Sequence, residues 1–270
     1  MPELPEVEIV VRQLAPFLVN RKVSRLEVLD PRLENPEKTT VRGRTILDVT
    51  RMGKQIVIHL SPDPESKLPL WICFHLRMTG RLIMDGGQSD QQARHLRARL
   101  FLDNGVLNFL DVRRLGVLNI FHSLDSARPK GLDPLSSAFT GSALEKLLSG
   151  SVQQIKPWLL RQDRLAGIGN IYASEILFAS GIDPRKEAAS LTGPEIRRLY
   201  RSIRKTLRLA IEHCGTTFSD FQDARGRTGS FQNLLSVYRR EGQPCPRCGE
   251  PIVRIIQQQR STFLSPGCQN

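Results

Sequence analysis

At 270 residues the chain is long enough for one large or two modest domains, and 39 basic against 27 acidic side chains leave it with a net charge of +12. No window carries the uninterrupted apolar run of a membrane span, and the start is too acidic for a secretory signal, so a soluble cytoplasmic protein is expected. A pI near 10 points to a polyanionic partner, above all nucleic acid, and the basic excess is denser in residues 151–270, with 18 basic against 10 acidic, than in residues 1–150, with 21 against 17.

In chain order, the first feature is Met1-Pro2-Glu3: removal of one residue would leave Pro2 with a free secondary amine beside a carboxylate. Such an amine is partly unprotonated near neutrality and can attack an electrophilic carbon to form an iminium, with Glu3 moving protons. The same residues, with Pro5, Glu6 and Glu8, equally suit the opening turn of a helix. Val7, Val10, Val11, Leu14 and Leu18 fall at helical spacing, predicting a helix over 5–18. Short apolar or alternating runs then predict strands at 23–29, 45–49, 55–60, 70–75, 97–102, 106–110 and 117–121, with Asn104-Gly105 as a hairpin turn and Asp85–Arg94 as a polar loop. This is the pattern of an antiparallel sandwich or barrel. Ser126–Ser137, with Pro129, Gly131 and Pro134, reads as a linker, after which the period changes to 3.6 and helices are predicted over 143–148, 171–179 and 193–213. The last carries an arginine-rich outer face, a pattern that by itself marks only a solvated surface.

Three constellations carry chemistry. Gly167-Ile168-Gly169-Asn170 precedes a helix: its glycines allow close backbone approach, Asn170 can cap the helix, and Lys156 is near enough in sequence to join a phosphate site. The same pattern also fits a plain corner between helices. Of five cysteines, Cys73 and Cys214 read as ordinary small residues, whereas Cys245, Cys248 and Cys268 crowd the C-terminus. Cys245-Pro-Arg-Cys248 is half of a tetrahedral zinc site, and Ser265 stands where a fourth thiolate would complete it. The segment from Gln243 to Asn270 is too small to fold on an apolar core alone, so it is held either by structural zinc or by hairpin packing. Finally, Met78 and the Arg113-Arg114-Leu115 run lie on apparent strand-joining loops, where an apolar side chain beside arginine suits a wedge driven into a base stack; a half-buried methionine with surface arginines fits as well.

Together these pieces resemble one family along essentially the whole chain, the formamidopyrimidine-DNA glycosylases of base-excision DNA repair. The resemblance rests on Met-Pro-Glu-Leu-Pro-Glu-Val-Glu at 1–8, Gly-Lys at 53–54, His-Leu-Arg-Met-Thr-Gly at 75–80, Asp-Val-Arg-Arg-Leu-Gly at 111–116, Ile-Lys-Pro-Trp-Leu-Leu at 155–160, Ala-Gly-Ile-Gly-Asn-Ile-Tyr-Ala-Ser-Glu at 166–175 and Gln-Arg-Ser-Thr-Phe at 259–263. Leu4 matches this branch rather than the related endonuclease VIII branch, which has glycine there. The resemblance implies an α+β multidomain fold: an N-terminal β-sandwich with a leading helix at 1–127, a helix–two-turn–helix domain at 136–237, and a zinc-finger-type β-hairpin at 238–270, with DNA between the first two.

It also implies roles. Pro2 would be the nucleophile at C1′ of the damaged nucleotide, Glu3 the general acid/base, Lys54 the proton donor in β-elimination and Arg260 the finger arginine of δ-elimination. His95, Arg113, Lys156 and Asn170 match DNA-backbone contacts, while Met78, Arg113 and Leu115 match residues that fill the gap left by a flipped base. The substrate would be damaged double-stranded DNA bearing 8-oxoguanine or formamidopyrimidines, the protein a monomer, and the cofactor one structural zinc on Cys245, Cys248 and Cys268. The chain departs from the family pattern at Ser265, in a ligand's place; at Leu115, where phenylalanine is usual; at Ser151, where a lysine often meets phosphate; and within Gly215–Gly229, which includes Thr216, Thr217 and Arg225. The alternative readings are a non-catalytic binder of damaged or abasic DNA, which Ser265 favours and the intact Pro2, Glu3 and Lys54 oppose, and a zinc-ribbon adaptor, which explains only the tail.

Overall fold

The computed structural model describes residues 1–33, 41–63, 67–84, 94–217 and 229–270. The predicted loop over 85–93 and Arg225 lie outside these residues. Helix α1 (Leu4–Leu18) begins where Pro5 occupies the first turn, and it buries Val7, Val10, Leu14 and Leu18 along one stripe. Each such side chain removed from water contributes roughly 1.5–3 kcal/mol. The strands that follow are β1 (Val23–Val28), β2 (Ile46–Met52), β3 (Gln55–Leu60), β4 (Leu70–His75), β5 (Gly80–Met84), β6 (Leu96–Leu102), β7 (Gly105–Asp111) and β8 (Val117–Phe121). Two antiparallel four-stranded sheets form, ordered β1-β6-β7-β5 and β2-β3-β4-β8. One core takes side chains from α1 and both sheets, Leu14, Ile58, Phe74, Leu100 and Phe109 among them, which makes this region a sandwich with a leading helix.

Strand β6 shows why the register holds. Leu96, Ala98, Leu100 and Leu102 point inward while Arg97, Arg99 and Phe101 alternate outward, and a slip by one residue would bury two arginines. Strand β5 is not among the predicted runs: Arg81-Leu-Ile-Met84 has no polar alternation, and its pairing with β7 supplies the order that its sequence lacks. The predicted linker at 126–137 begins inside a short helix, α2 (Leu124–Ala127), whose start is capped by the Ser123 hydroxyl.

The remaining helices are α3 (Gly141–Leu148), α4 (Ile155–Leu159), α5 (Asn170–Ser180) and α6 (Gly193–Glu212), followed by the hairpin β9 (Val253–Gln257) and β10 (Arg260–Leu264). Helix α4 has no counterpart among the predicted elements, because five residues starting two before a proline carry no readable period. Helix α6 starts with a capping box in which Thr192 and Glu195 satisfy each other's amides. Contacts divide the chain into two units, Met1–Arg128 with Cys214–Ser230, and Pro129–His213 with Phe231–Asn270. No helix among the described residues is long and apolar enough to cross a membrane.

Candidate active site and nucleic-acid interface

In the first unit, chemistry gathers at the start of α1. Chain termini usually fray, but here Pro2 and Glu3 are both buried. The reason is a carboxylate three residues on: Glu6 accepts the Glu3 N–H at 2.8 Å, and the Glu3 side chain reciprocates with the Glu6 amide. The other oxygen of Glu6 accepts the Thr216 N–H at 2.8 Å. Gly215, at φ +73°, lets that segment approach, since a Cβ there would stand 2.8 Å from the Glu6 carboxylate. From sequence Glu6 is only a helix-opening acid; in the structure it is the residue that fixes Glu3. Nothing in its spacing reveals the second bond, which comes from 210 residues away.

Lys54 sits in the two-residue turn Gly53-Lys54 between β2 and β3, where Gly53 supplies the positive φ of 62°. Just before it, Arg51 bridges to Glu8 of α1 at 3.0 Å, tying the turn-bearing strand to the helix that carries Glu3. Lys54 is itself buried, and its charge, with that of Arg77, adds to burial in pushing the neighbouring His75 down to about 4. His75 is therefore neutral near pH 7, and its Nδ1 accepts the Arg77 N–H at 3.1 Å. The sequence places His75 within a motif but gives no sign of this role.

The loops after β4 and β7 bring the expected wedge residues together. The Arg113 guanidinium lies 3.1 Å from Met78 Sδ, Met78 is 38% exposed and Leu115 is 45% exposed. Asp111 holds this loop: its carboxylate takes the Thr79 hydroxyl and the N–H groups of Arg113, Leu115 and Gly116, the last at 2.6 Å. Gly116 is required because a Cβ would meet the Phe109 ring at 2.6 Å. Arg114, at φ +54°, turns back to Asp30, whose carboxyl it holds down at about 2 through paired hydrogen bonds. His95 is half-buried next to β6, its carbonyl accepting the Asp111 N–H at 2.8 Å.

In the second unit, the structure brings the expected phosphate pair, Lys156 and Asn170, together. Lys156 is 0% exposed, and its ammonium donates to Asn170 Oδ1 at 2.7 Å, the Ser261 carbonyl at 2.9 Å and Thr262 Oγ1 at 2.8 Å. Asn170 does not cap α5 with its side chain; Gly169 is the N-cap residue, and Asn170 Nδ2 donates to the Ser261 carbonyl at 3.0 Å. The two residues thus bind the hairpin strand β10 to α4 and α5. Arg260 opens β10, exposed, right after a two-residue turn whose Gln258 and Gln259 both have positive φ, 45° and 59°. That conformation normally selects Asn-Gly, so this turn carries strain next to a candidate functional side chain.

The thiols of Cys245, Cys248 and Cys268 converge within 4.8 Å of one another, on two turns packed below the hairpin. Cys245 and Cys268 are 3.8 Å apart, the edge of a tetrahedron with bonds of about 2.3 Å, so the donors present fit a structural zinc. Arg247, between two of these cysteines, donates to the Phe178 carbonyl at 2.9 Å and lies over the Phe178 ring, fastening this turn to the end of α5.

The chain is similar to known proteins along its whole length. Residues 1–118 match the formamidopyrimidine-DNA glycosylase N-terminal domain, residues 130–222 the formamidopyrimidine-DNA glycosylase H2TH domain, and residues 242–270 a zinc finger found in FPG and IleRS. A formamidopyrimidine-DNA glycosylase of Pelotomaculum thermopropionicum is 42% identical over all of this chain and 99% of its own length. The crystal structure of the MutM (Fpg) protein of Thermus thermophilus superposes with a TM-score of 0.86 at 38% identity, covering 99% of this chain and 98% of that one. A Lactococcus lactis Fpg mutant in complex with DNA containing Fapy-dG gives a TM-score of 0.85 at 32% identity, covering 99% of each chain.

Proposed function

The chain belongs to the formamidopyrimidine-DNA glycosylase family, and from that premise we propose that it excises oxidised purines, 8-oxoguanine and formamidopyrimidines, through a covalent link between Pro2 and deoxyribose. It is a DNA glycosylase and abasic-site lyase of base-excision repair. The observation that carries the mechanistic reading is the locked helix start. A free terminus is a poor catalyst because it samples many positions, whereas the Glu3–Glu6–Thr216 hydrogen bonds hold the residue beside the amine in one place.

Once Met1 is removed, the neutral Pro2 amine attacks C1′, the glycosidic bond breaks, and the base leaves with a proton supplied through Glu3. Ring opening gives an iminium, which acidifies the hydrogen on C2′. Loss of that proton expels the 3′ phosphate in β-elimination, with Lys54 delivering the proton that the opening sugar needs. A second elimination, assisted by Arg260, expels the 5′ phosphate, and water then releases Pro2. The base must leave the stack first, at a cost of a few kcal/mol, which Met78, Arg113 and Leu115 offset by filling its place. We assign Arg113, His95 and Asn170 to the DNA backbone, with Lys156 holding Asn170 in position through its hydrogen bond to Oδ1. Cys245, Cys248 and Cys268 would hold one zinc per chain, whose contribution is to fold the hairpin that carries Arg260. The sequence segments we assign to the family's three modules are 1–127, 136–237 and 238–270, Cys214–Ser230 of the second grouping with the first unit, and the protein would act as a cytoplasmic monomer on double-stranded DNA.

Borohydride reduction on an 8-oxoguanine duplex tests this. The mature protein, its mass showing Met1 absent, should yield a covalent adduct that Pro2→Gly abolishes. Binding with neither adduct nor nicking would make the chain a non-catalytic damage binder.

A further inference from the structure

Position 265 is where this chain departs from four cysteines, and the geometry there is specific. We propose that the Ser265 hydroxyl is the fourth zinc donor, closing a site of three sulfurs and one oxygen; this rests on the structural-zinc reading above. Ser265 Oγ lies 3.4 Å from Cys248 Sγ. A tetrahedron with one oxygen at about 2.0–2.2 Å and a sulfur at about 2.3 Å has an edge near 3.5 Å. The Cys245–Cys268 separation of 3.8 Å matches the opposite, all-sulfur edge of the same tetrahedron. The three sulfurs converge within 4.8 Å of one another, and the Ser265 hydroxyl faces Cys245 and Cys268 as well as Cys248, so the serine oxygen stands where a fourth donor belongs.

The backbone holds that corner in place. Ser265 is 0% exposed, its N–H donates to Gln269 Oε1 at 2.9 Å, and its carbonyl accepts the N–H groups of Cys268 and Gln269 at 3.1 Å each. Gln269 is anchored in turn by its Nε2 donating to the Ile182 carbonyl at 2.9 Å. The turn Ser265-Pro-Gly-Cys268 thus mirrors Cys245-Pro-Arg-Cys248, whose first residue accepts the Gly249 N–H at 3.0 Å. On metal uptake the three thiols release their protons, while the hydroxyl keeps its own and binds through a lone pair. The centre then carries one negative charge where four thiolates would carry two, which suits a hairpin facing a polyanion. A neutral oxygen also binds zinc more weakly than thiolate does. Release to a chelator should be faster than from Ser265→Cys by at least the roughly tenfold that even an outer-shell partner is worth.

The test uses the full chain loaded with Co²⁺, whose absorption reports its donors, with imidazole added as a competing ligand. A serine-closed site gives a tetrahedral spectrum that imidazole leaves unchanged. Ser265→Ala opens the corner, so imidazole should shift its spectrum, or metal should be lost while circular dichroism shows the fold intact. Ser265→Cys should gain sulfur-to-metal charge-transfer intensity. If the wild-type spectrum moves with imidazole as the alanine variant's does, water fills the fourth position and the proposal fails. It also fails if the cysteine variant is spectrally identical to wild type, or if only the cysteine variant takes up metal. Should neither wild type nor Ser265→Cys bind Co²⁺ or Zn²⁺, the zinc reading itself falls.

Discussion

Asp111 shows how much of an exposed site can rest on one buried carboxylate. Met78, Arg113 and Leu115 are the side chains that would meet DNA, yet their loop is held by Asp111 accepting one hydroxyl and three amides. In Asp111→Asn an NH₂ group must face N–H donors, at a cost of about 1–3 kcal/mol. Because the wedge matters only where a base must be replaced in a stack, excision from duplex DNA should fall about tenfold or more, while lyase activity on a single-stranded abasic oligonucleotide stays near wild type. Parallel rate measurements on the two substrates decide it; an equal loss on both would mean that Asp111 serves only folding. At this scale the motif residues were legible in the sequence and their supports were not. Glu6, Asp111 and His75 act through backbone amides or burial, and a side chain whose partners are amides leaves no pattern in residue types.

Among the elements, those with a sustained period were readable: α1, α6 and the alternating β6 follow the predicted runs within a few residues. The hairpin turn at Gln258-Gln259 was not, because its two left-handed residues lack the asparagine and glycine that announce such turns. The strand that leaves it is held by Lys156, whose ammonium reaches Ser261 and Thr262 on β10. Lys156→Met keeps the length of the side chain but removes hydrogen bonds to a charged donor, each worth about 1.5–3 kcal/mol. We expect a lower melting temperature and faster amide exchange across 260–264, with the sandwich strands unaffected. Unchanged exchange in the hairpin would show that β9 and β10 stand without it.

For the molecule as a whole, the +12 charge gave the partner class from composition alone, but not which cations reach it. Arg113 is exposed, whereas Lys156 is enclosed, and counterion release distinguishes them. Each phosphate neutralised steepens the fall of log affinity with log salt by about 0.9. Arg113→Gln should flatten that slope by nearly one unit, and Lys156→Met should weaken binding with little change of slope. Equal flattening in both would put the Lys156 ammonium at the phosphates. The division into units could not be read from the sequence either, since composition gives no hint that Cys214–Ser230 returns to the first. That return means that the chain passes between the units at three places. The halves are consequently not exchangeable as contiguous cassettes: a graft ending at Arg128 would take Pro2, Glu3 and their sheets but leave behind the Thr216 amide that steadies Glu6.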